Sequence, residues 1–252
     1  MSRLPRPAPH VRRAAEGGGE TGAHTNIQPA AEGIGSVESL YPFIYSGTVD
    51  PDQVVAQARQ STVTKIREII DLRAEVCSSC SELLGSCAKE MAARFASGGR
   101  LLTFGNGGSA TDAQEIAALF MYPQDTDASL PAIGLASDVS VLTSLANDIG
   151  VEVMFSRQIE AFGRPDDIAL GLSTSGNSEN LLRAFDQARR IGLMTVGIAG
   201  YDGGKMAEIA SLDYLFVAPS ASIHRIQEAQ TTVYHILWEL VVAEVAARPV
   251  IT

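Results

Sequence analysis

Two short stretches hold most of the residues that could do chemistry on a ligand. The run Ser173-Thr174-Ser175-Gly176-Asn177-Ser178 sets four hydroxyls within six residues. It follows an apolar run, 168–172, and precedes a helical pattern over 179–190, which places it at the carboxyl end of a strand and the amino end of a helix. Hydroxyls at such a junction add side-chain donors to the free N–H groups of the helix start, making a neutral cup for a phosphate. An ordinary Ser/Thr-capped turn needs one or two hydroxyls rather than four, which favours the phosphate reading. The second stretch, Phe104-Gly105-Asn106-Gly107-Gly108-Ser109-Ala110, leads into a helical pattern from Thr111 to Phe120. Its glycines lack the Cβ atoms that would keep a ligand from the backbone, so a phosphate or a polarised sugar hydroxyl fits there. The plainer alternative is a tight strand-to-helix turn capped by serine. Neither G-x-G-x-x-G nor G-x-x-x-x-G-K-[ST] occurs, which weakens dinucleotide and P-loop readings.

Loops of this kind need a sheet to hold them. Apolar runs at 100–104, 131–135, 167–172, 194–199 and 214–218 read as five strands. Helix-sized segments separate them, and such crossovers let successive strands run the same way, so the expected fold is α/β with a parallel sheet. From about Asp52 to Phe95 the apolar residues recur at helical spacing (Val63, Ile66, Ile69, Ile70, then Leu83, Leu84, Ala88, Met91), predicting one or two long helices ahead of the sheet. Ser222 to about Ala246 reads as one amphipathic helix that ends before Pro249. Residues 1–35, rich in Pro, Gly, Ala and Arg, read as a disordered tail. The aromatic run Leu40–Tyr45 could dock on the domain or on a neighbouring subunit. The expected organisation is therefore tail 1–35, N-terminal helical segment 36–98 and sheet domain 99–248.

Composition excludes several classes. The 252 residues are 46% hydrophobic and 19% charged, ordinary globular usage. A net charge of −10 argues against a nucleic-acid partner, because binding a polyanion relies on cationic neutralisation. An anionic metabolite then needs a local site that overcomes the overall field. Cys77, Cys80 and Cys87 include one C-x-x-C inside a helical run without a second pair, which suits reduced thiols better than zinc or a disulfide framework. No apolar stretch is long enough for a membrane span, and the basic start lacks a signal-peptide core, so the expectation is a cytoplasmic protein with no membrane partner.

The motifs G-N-G-G-S at 105–109, S-D at 137–138, A-N-D at 146–148, S-T-S-G-N-S at 173–178, G-x-D-G-G-K-M at 200–206 and R-I-Q-E at 225–228 together resemble the phosphoheptose (sedoheptulose-7-phosphate) isomerase branch of the SIS-domain proteins. The resemblance covers roughly residues 52–246 and is far more specific jointly than in any single motif. It implies a five-stranded parallel sheet flanked by helices (an SIS domain) and a homotetramer with active sites between subunits. It also implies a sugar-phosphate substrate touched by Asn106, Gly107, Gly108 and Ser109, by Asn147 and Asp148, by Ser173, Thr174, Ser175 and Ser178, and by Gln227.

Aldose–ketose isomerisation through an enediol needs a base at the carbon beside a carbonyl and an acid at its oxygen. The resemblance places His235, eight residues after Gln227, at the family's catalytic histidine. Without the motif it would read as a helix histidine among Val233, Ile236 and Leu237. Where the family has its catalytic Glu this chain has Leu119, and Glu115 stands one turn earlier, where the family usually has His. Glu115 is thus the candidate carboxylate, displaced along one helix face, against the alternative of a solvated carboxylate favoured by the helix dipole. These same positions, with Gln227 and His235, hold zinc in some members, so no cofactor is expected and zinc stands only as an implication of the family with two ligand positions altered. Arg157, Glu160, Arg164, Arg183, Arg189 and Arg190 read as solvated or subunit-facing, Arg225 as orienting the entry to the last helix, and His224 as able to approach the same pocket. The leading expectation is a phosphoheptose-isomerase-like enzyme using His235 and Glu115. The alternative is a non-catalytic sugar-phosphate sensor or assembly protein.

Overall fold

A computed structural model describes residues 51–122 and 129–248. The expected tail 1–35 and the aromatic run Leu40–Tyr45 lie outside the described residues. The chain divides into two compact units, 1–54 and 55–252, and all but four of the described residues belong to the second.

The helical spacing after Asp52 forms one continuous helix, α1 (Pro51–Ala96), with no break between its two apolar clusters. The remaining elements are β1 (Leu101–Gly105), α2 (Gly108–Met121), β2 (Ala132–Gly134), α3 (Val139–Asp148), α4 (Met154–Phe162), β3 (Ile168–Ser173), α5 (Glu179–Ile191), β4 (Met194–Gly200), β5 (Tyr214–Ala218) and α6 (Ile223–Ala246). The five strands are all parallel, in the order β2-β1-β3-β4-β5. Each expected strand is present within two residues. The edge strand β2 is shortest, although Pro131 O and Leu135 N still bond to β1 on either side of it (2.9 and 2.8 Å).

Side chains alternate across the sheet, as pleating requires. Leu101, Ile168, Leu170, Leu172, Val196 and Ile198 face a core with α1, α2 and α6. Leu102, Phe104 and Ala169 face a second core with α4 and α5. Fully burying one such large side chain is worth about 1.5–3 kcal/mol, so both faces contribute to holding the sheet between its helices. Among the described residues α3 contributes no buried side chain.

The amino ends of the strands are fastened by two carboxylates, one buried and one nearer the surface. Asp167, 1% exposed, accepts from the Arg100 backbone N–H (2.8 Å) and guanidinium (2.7 Å). Asp213 accepts from the Thr195 N–H (2.9 Å) and hydroxyl (3.0 Å). The carboxyl ends are thereby left to carry loops, which is where open α/β sheets bind ligands.

Candidate functional site

The first and third strands are neighbours, with Gly105 paired to Leu172, so the glycine-rich and hydroxyl-rich turns emerge side by side. In the hydroxyl-rich turn Ser173 is the hub. Its Oγ lies 3.5 Å from that of Ser175 and 3.3 Å from that of Ser178, and it accepts the Gly176 N–H at 3.1 Å. Ser178 sits at the N-cap of α5 but makes no side-chain cap, so the Glu179 and Asn180 amides at the helix start remain available to an anion, while Leu181 N already bonds to Ser178 O. Thr174 belongs to the turn, but its hydroxyl makes no hydrogen bond among the described residues.

The turn is braced from behind by the 200–206 motif. Gly176 O accepts from Met206 N (3.0 Å), and Asn177 Oδ1 accepts from Lys205 N (3.0 Å). Gly176 has φ of +65°, and a Cβ there would overlap the carbonyl of Gly203. This is a close backbone-to-backbone approach that no other residue permits. A cleft of about 690 Å³ opens beside the turn, lined by Ser175, Asn177, Tyr201, Asp202 and the loop 219–221.

The glycine-rich turn is held to its neighbour by a reciprocal amide pair. Asn106 and Asn180 each donate Nδ2 to the other's Oδ1 at 2.9 Å. The Asn106 side chain therefore fixes the loop. Asn180, two residues beyond Ser178, is a partner that the sequence motifs do not point to. The helix α2 begins at Gly108, three residues earlier than the apolar pattern suggests, because Ser109 N and Ala110 N already bond to the carbonyls of Asn106 and Gly107 (both 3.0 Å). Ser109 is buried. Gly108 faces Gln227, whose Nε2 occupies the space a Cβ would take.

That contact sets two helices alongside each other. Gly108 on α2 meets Gln227 on α6; seven and eight residues further on, Glu115 meets His235, so the two helices run parallel. Glu115 Oε1 lies 3.5 Å from His235 Nε2, with the side chains 50% and 39% exposed. The other oxygen, Oε2, accepts the Tyr234 hydroxyl at 2.9 Å. Asp112, one turn earlier on α2, has a buried Oδ2 without a hydrogen-bond partner among the described residues. Burial, and then the charge of Glu115, push its pKa up to about 6.

The R-I-Q-E motif divides its labour. Ile226 is core, while Arg225 pairs with Glu228 (2.6 Å) and approaches Glu68 of α1 (3.8 Å), which fixes the entry of α6 and aims Gln227 at Gly108. Asn147 and Asp148 stand at the end of α3, bonded to each other at 2.8 Å, and no hydrogen bond among the described residues joins them to the other loops. Asp138 of the S-D motif caps α3, accepting from Ser140 N and Val141 N (3.0 and 3.1 Å). Arg157 and Glu160, like Arg183 and Glu179, form exposed pairs along their own helices. All three cysteines are free thiols, and burial holds the Cys87 thiol well above its ordinary range.

The zinc set implied by the family does not fit these donors. Leu119 has no donor atom, Glu115 already gives one oxygen to a phenol, and among the described residues no three His, Cys, Asp or Glu side chains converge as ligands do.

The chain is similar to known proteins over most of the described residues. The SIS domain matches residues 66–200. Phosphoheptose isomerase of Aquifex aeolicus (strain VF5) is 43% identical over 189 residues, which is 73% of this chain and 98% of that protein. The phosphoheptose isomerase of Roseiflexus sp. (strain RS-1) is 40% identical over 180 residues, 71% and 90% of the two chains. Among solved structures, phosphoheptose isomerase from Neisseria gonorrhoeae superimposes with a TM-score of 0.69 at 32% identity, covering 74% of this chain and 99% of that one. The enzyme from Francisella tularensis gives 0.69 at 28%, covering 73% and 97%.

Proposed function

Because this chain belongs to the SIS-domain family, in its phosphoheptose isomerase branch, we propose that it interconverts a ketose phosphate and an aldose phosphate, with sedoheptulose 7-phosphate the substrate its dimensions suit. The carrying observation is the parallel run of α2 and α6 from the Gly108–Gln227 contact, in the turn beside the phosphate cup, to the Glu115–His235 pair. Seven helical residues at 1.5 Å rise separate Gly108 from Glu115 by about 10 Å. Six extended C–C bonds plus a phosphoester reach about the same distance from the phosphoryl group on C7 to C1.

With the phosphoryl group on the 173–178 turn, the carbonyl end of the ketose lies at the pair. Glu115 takes a proton from C1 while His235 delivers one to the oxygen on C2, giving the enediol. Glu115 then returns a proton to C2 as His235 removes one from the oxygen on C1, leaving the aldose. One hydrogen moves between adjacent carbons, and both electrons stay in the sugar. Gln227, Asn147 and Asp148 are proposed to touch the sugar hydroxyls, and Gly107 and Gly108 to present their backbone to the ligand.

The experiment is solvent-deuterium incorporation at C1 of sedoheptulose 7-phosphate and at C2 of the aldose product, followed by NMR. His235→Ala is expected to abolish exchange and Glu115→Gln to reduce it by two orders of magnitude or more, at about the 10²–10⁴-fold worth of a positioned acid or base. Saturable binding without exchange in the wild-type protein would favour the sensor reading, and exchange indifferent to both variants would reject these roles.

A homotetramer in the cytoplasm completes the proposal. Val63, Ile66 and Ile70 leave an apolar stripe exposed at i, i+3 and i+7 on α1, as a helix buried against a second copy would. No helix among the described residues is long and apolar enough to cross a membrane. Sedimentation velocity of the purified chain tests the assembly, and a monomer at micromolar concentration would reject it.

A further inference from the structure

Tyr234 belongs to none of the motifs, yet it makes the closest contact with the proposed base. It is 1% exposed, its hydroxyl donates to Glu115 Oε2 at 2.9 Å, and its ring stacks on the His235 imidazole with centroids 5.1 Å and planes 27° apart. A half-exposed glutamate on a helix has several staggered rotamers open to it. One buried donor on Oε2 selects the rotamer that leaves Oε1 facing His235. The stacked ring restrains the imidazole from the other side. The phenol keeps its proton throughout the neutral range, because burial above all, and also the bond to Glu115, push its pKa up. Its other polar neighbour, Thr231 Oγ1, is 3.5 Å away and competes weakly.

We propose that Tyr234 is a positioning residue for the isomerisation, its hydroxyl fixing the Glu115 carboxylate against His235 in a chain whose Leu119 offers no carboxylate one turn further along α2. The inference rests on the reading of Glu115 as the base. A donor of this kind serves the transition state rather than the binding of substrate, because its partner does not touch the phosphoryl end. Misplacing a reacting group by an ångström costs as much as 10²-fold in rate, whereas remote binding contacts are unaffected.

The test is a double-mutant cycle on the full chain with sedoheptulose 7-phosphate. Tyr234→Phe keeps the buried ring and is expected to lower kcat about ten- to a hundred-fold with KM within about twofold. In the Glu115→Gln background the same change should cost less than about twofold, since the carboxylate it positions is gone. Thr231→Val, which removes the phenol's other neighbour, should leave kcat within about twofold. If phenylalanine loosens the fold, as a thermal melt would reveal, 3-fluorotyrosine at 234 probes the same contact: it must change kcat when Glu115 is present and leave it alone in the Glu115→Gln background. A Tyr234→Phe loss that persists in full in the Glu115→Gln background overturns the positioning role while sparing the base. Full activity of Glu115→Gln alone overturns the base, and the positioning role with it.

Discussion

Asp112→Asn is expected to stabilise the protein at neutral pH and not in acid. The Asp112 carboxyl has one oxygen buried without a partner and stands one turn from Glu115 on the same face of α2. Its pKa is pushed from 3.8 to about 6, chiefly by burial and then by the charge of Glu115. The folded value lies above the unfolded one, so the folded state holds a proton that the unfolded chain has released between about pH 4 and pH 6. The carboxyl therefore supports the fold below that window, and this contribution is lost as pH rises through it. A shift of about two units is worth at most about 3 kcal/mol at 1.36 kcal/mol per unit, and solvent around this part-buried group reduces it to about 1–1.5 kcal/mol. Asparagine has the same shape and never ionises. Denaturant unfolding of the two proteins between pH 3.5 and 7.5 should give a stability difference that grows by about 1 kcal/mol in favour of asparagine as pH passes 6. A difference that stays constant across the range would refute the reasoning, because an amide-for-carboxyl effect on packing has no reason to follow pH.

Gly176→Ala should weaken phosphosugar binding at least tenfold in calorimetry while the sheet survives, since its Cβ would overlap the Gly203 carbonyl and the turn must open to admit it. Unchanged affinity would mean that the turn does not hold the phosphoryl group. Arg100→Ala should cost about 3–5 kcal/mol in denaturant unfolding, because Asp167 is left as a buried charge without its partner. A loss below about 1 kcal/mol would show that water reaches the carboxylate. Exhaustive dialysis against a chelator should leave isomerase turnover within about twofold, as the Glu115, Gln227 and His235 donors do not make a zinc site on their own. Activity lost to the chelator and restored by zinc would contradict that fit.

The sheet was legible because its signals are local. Apolar runs of five or six residues between helix-sized segments fix strand number and parallel sense, and all five runs are strands. Element ends were less legible where tertiary bonds decide them. The start of α2 depends on Asn106 and Gly107 carbonyls in a glycine-rich turn, and no apolar period marks it. Likewise nothing in the spacing of α1 says that its two apolar clusters belong to one unbroken helix. The hydroxyl-rich turn could be read from composition alone, and two of its hydroxyls, those of Ser175 and Ser178, do converge on that of Ser173. What composition could not supply was the brace behind it, where Met206 and Lys205 bond back across about thirty residues of sequence to Gly176 and Asn177.

The proposed acid–base pair shows the same division more sharply. His235 and Glu115 could be picked out singly, but their meeting depends on α2 and α6 lying parallel with Gly108 against Gln227, a juxtaposition of segments 119 residues apart at Glu115 and Tyr234. Once that register is set, a residue beside His235 on α6 and a residue one helical turn before Leu119 on α2 are forced together. Tyr234 then anchors the Glu115 carboxylate, because a phenol can donate to a carboxylate oxygen. A displaced base therefore needs a new donor more than it needs a new position. Relatives that carry leucine at the position of Leu119 and glutamate at that of Glu115 should carry a hydrogen-bond donor at that of Tyr234, and an apolar residue there would break the argument.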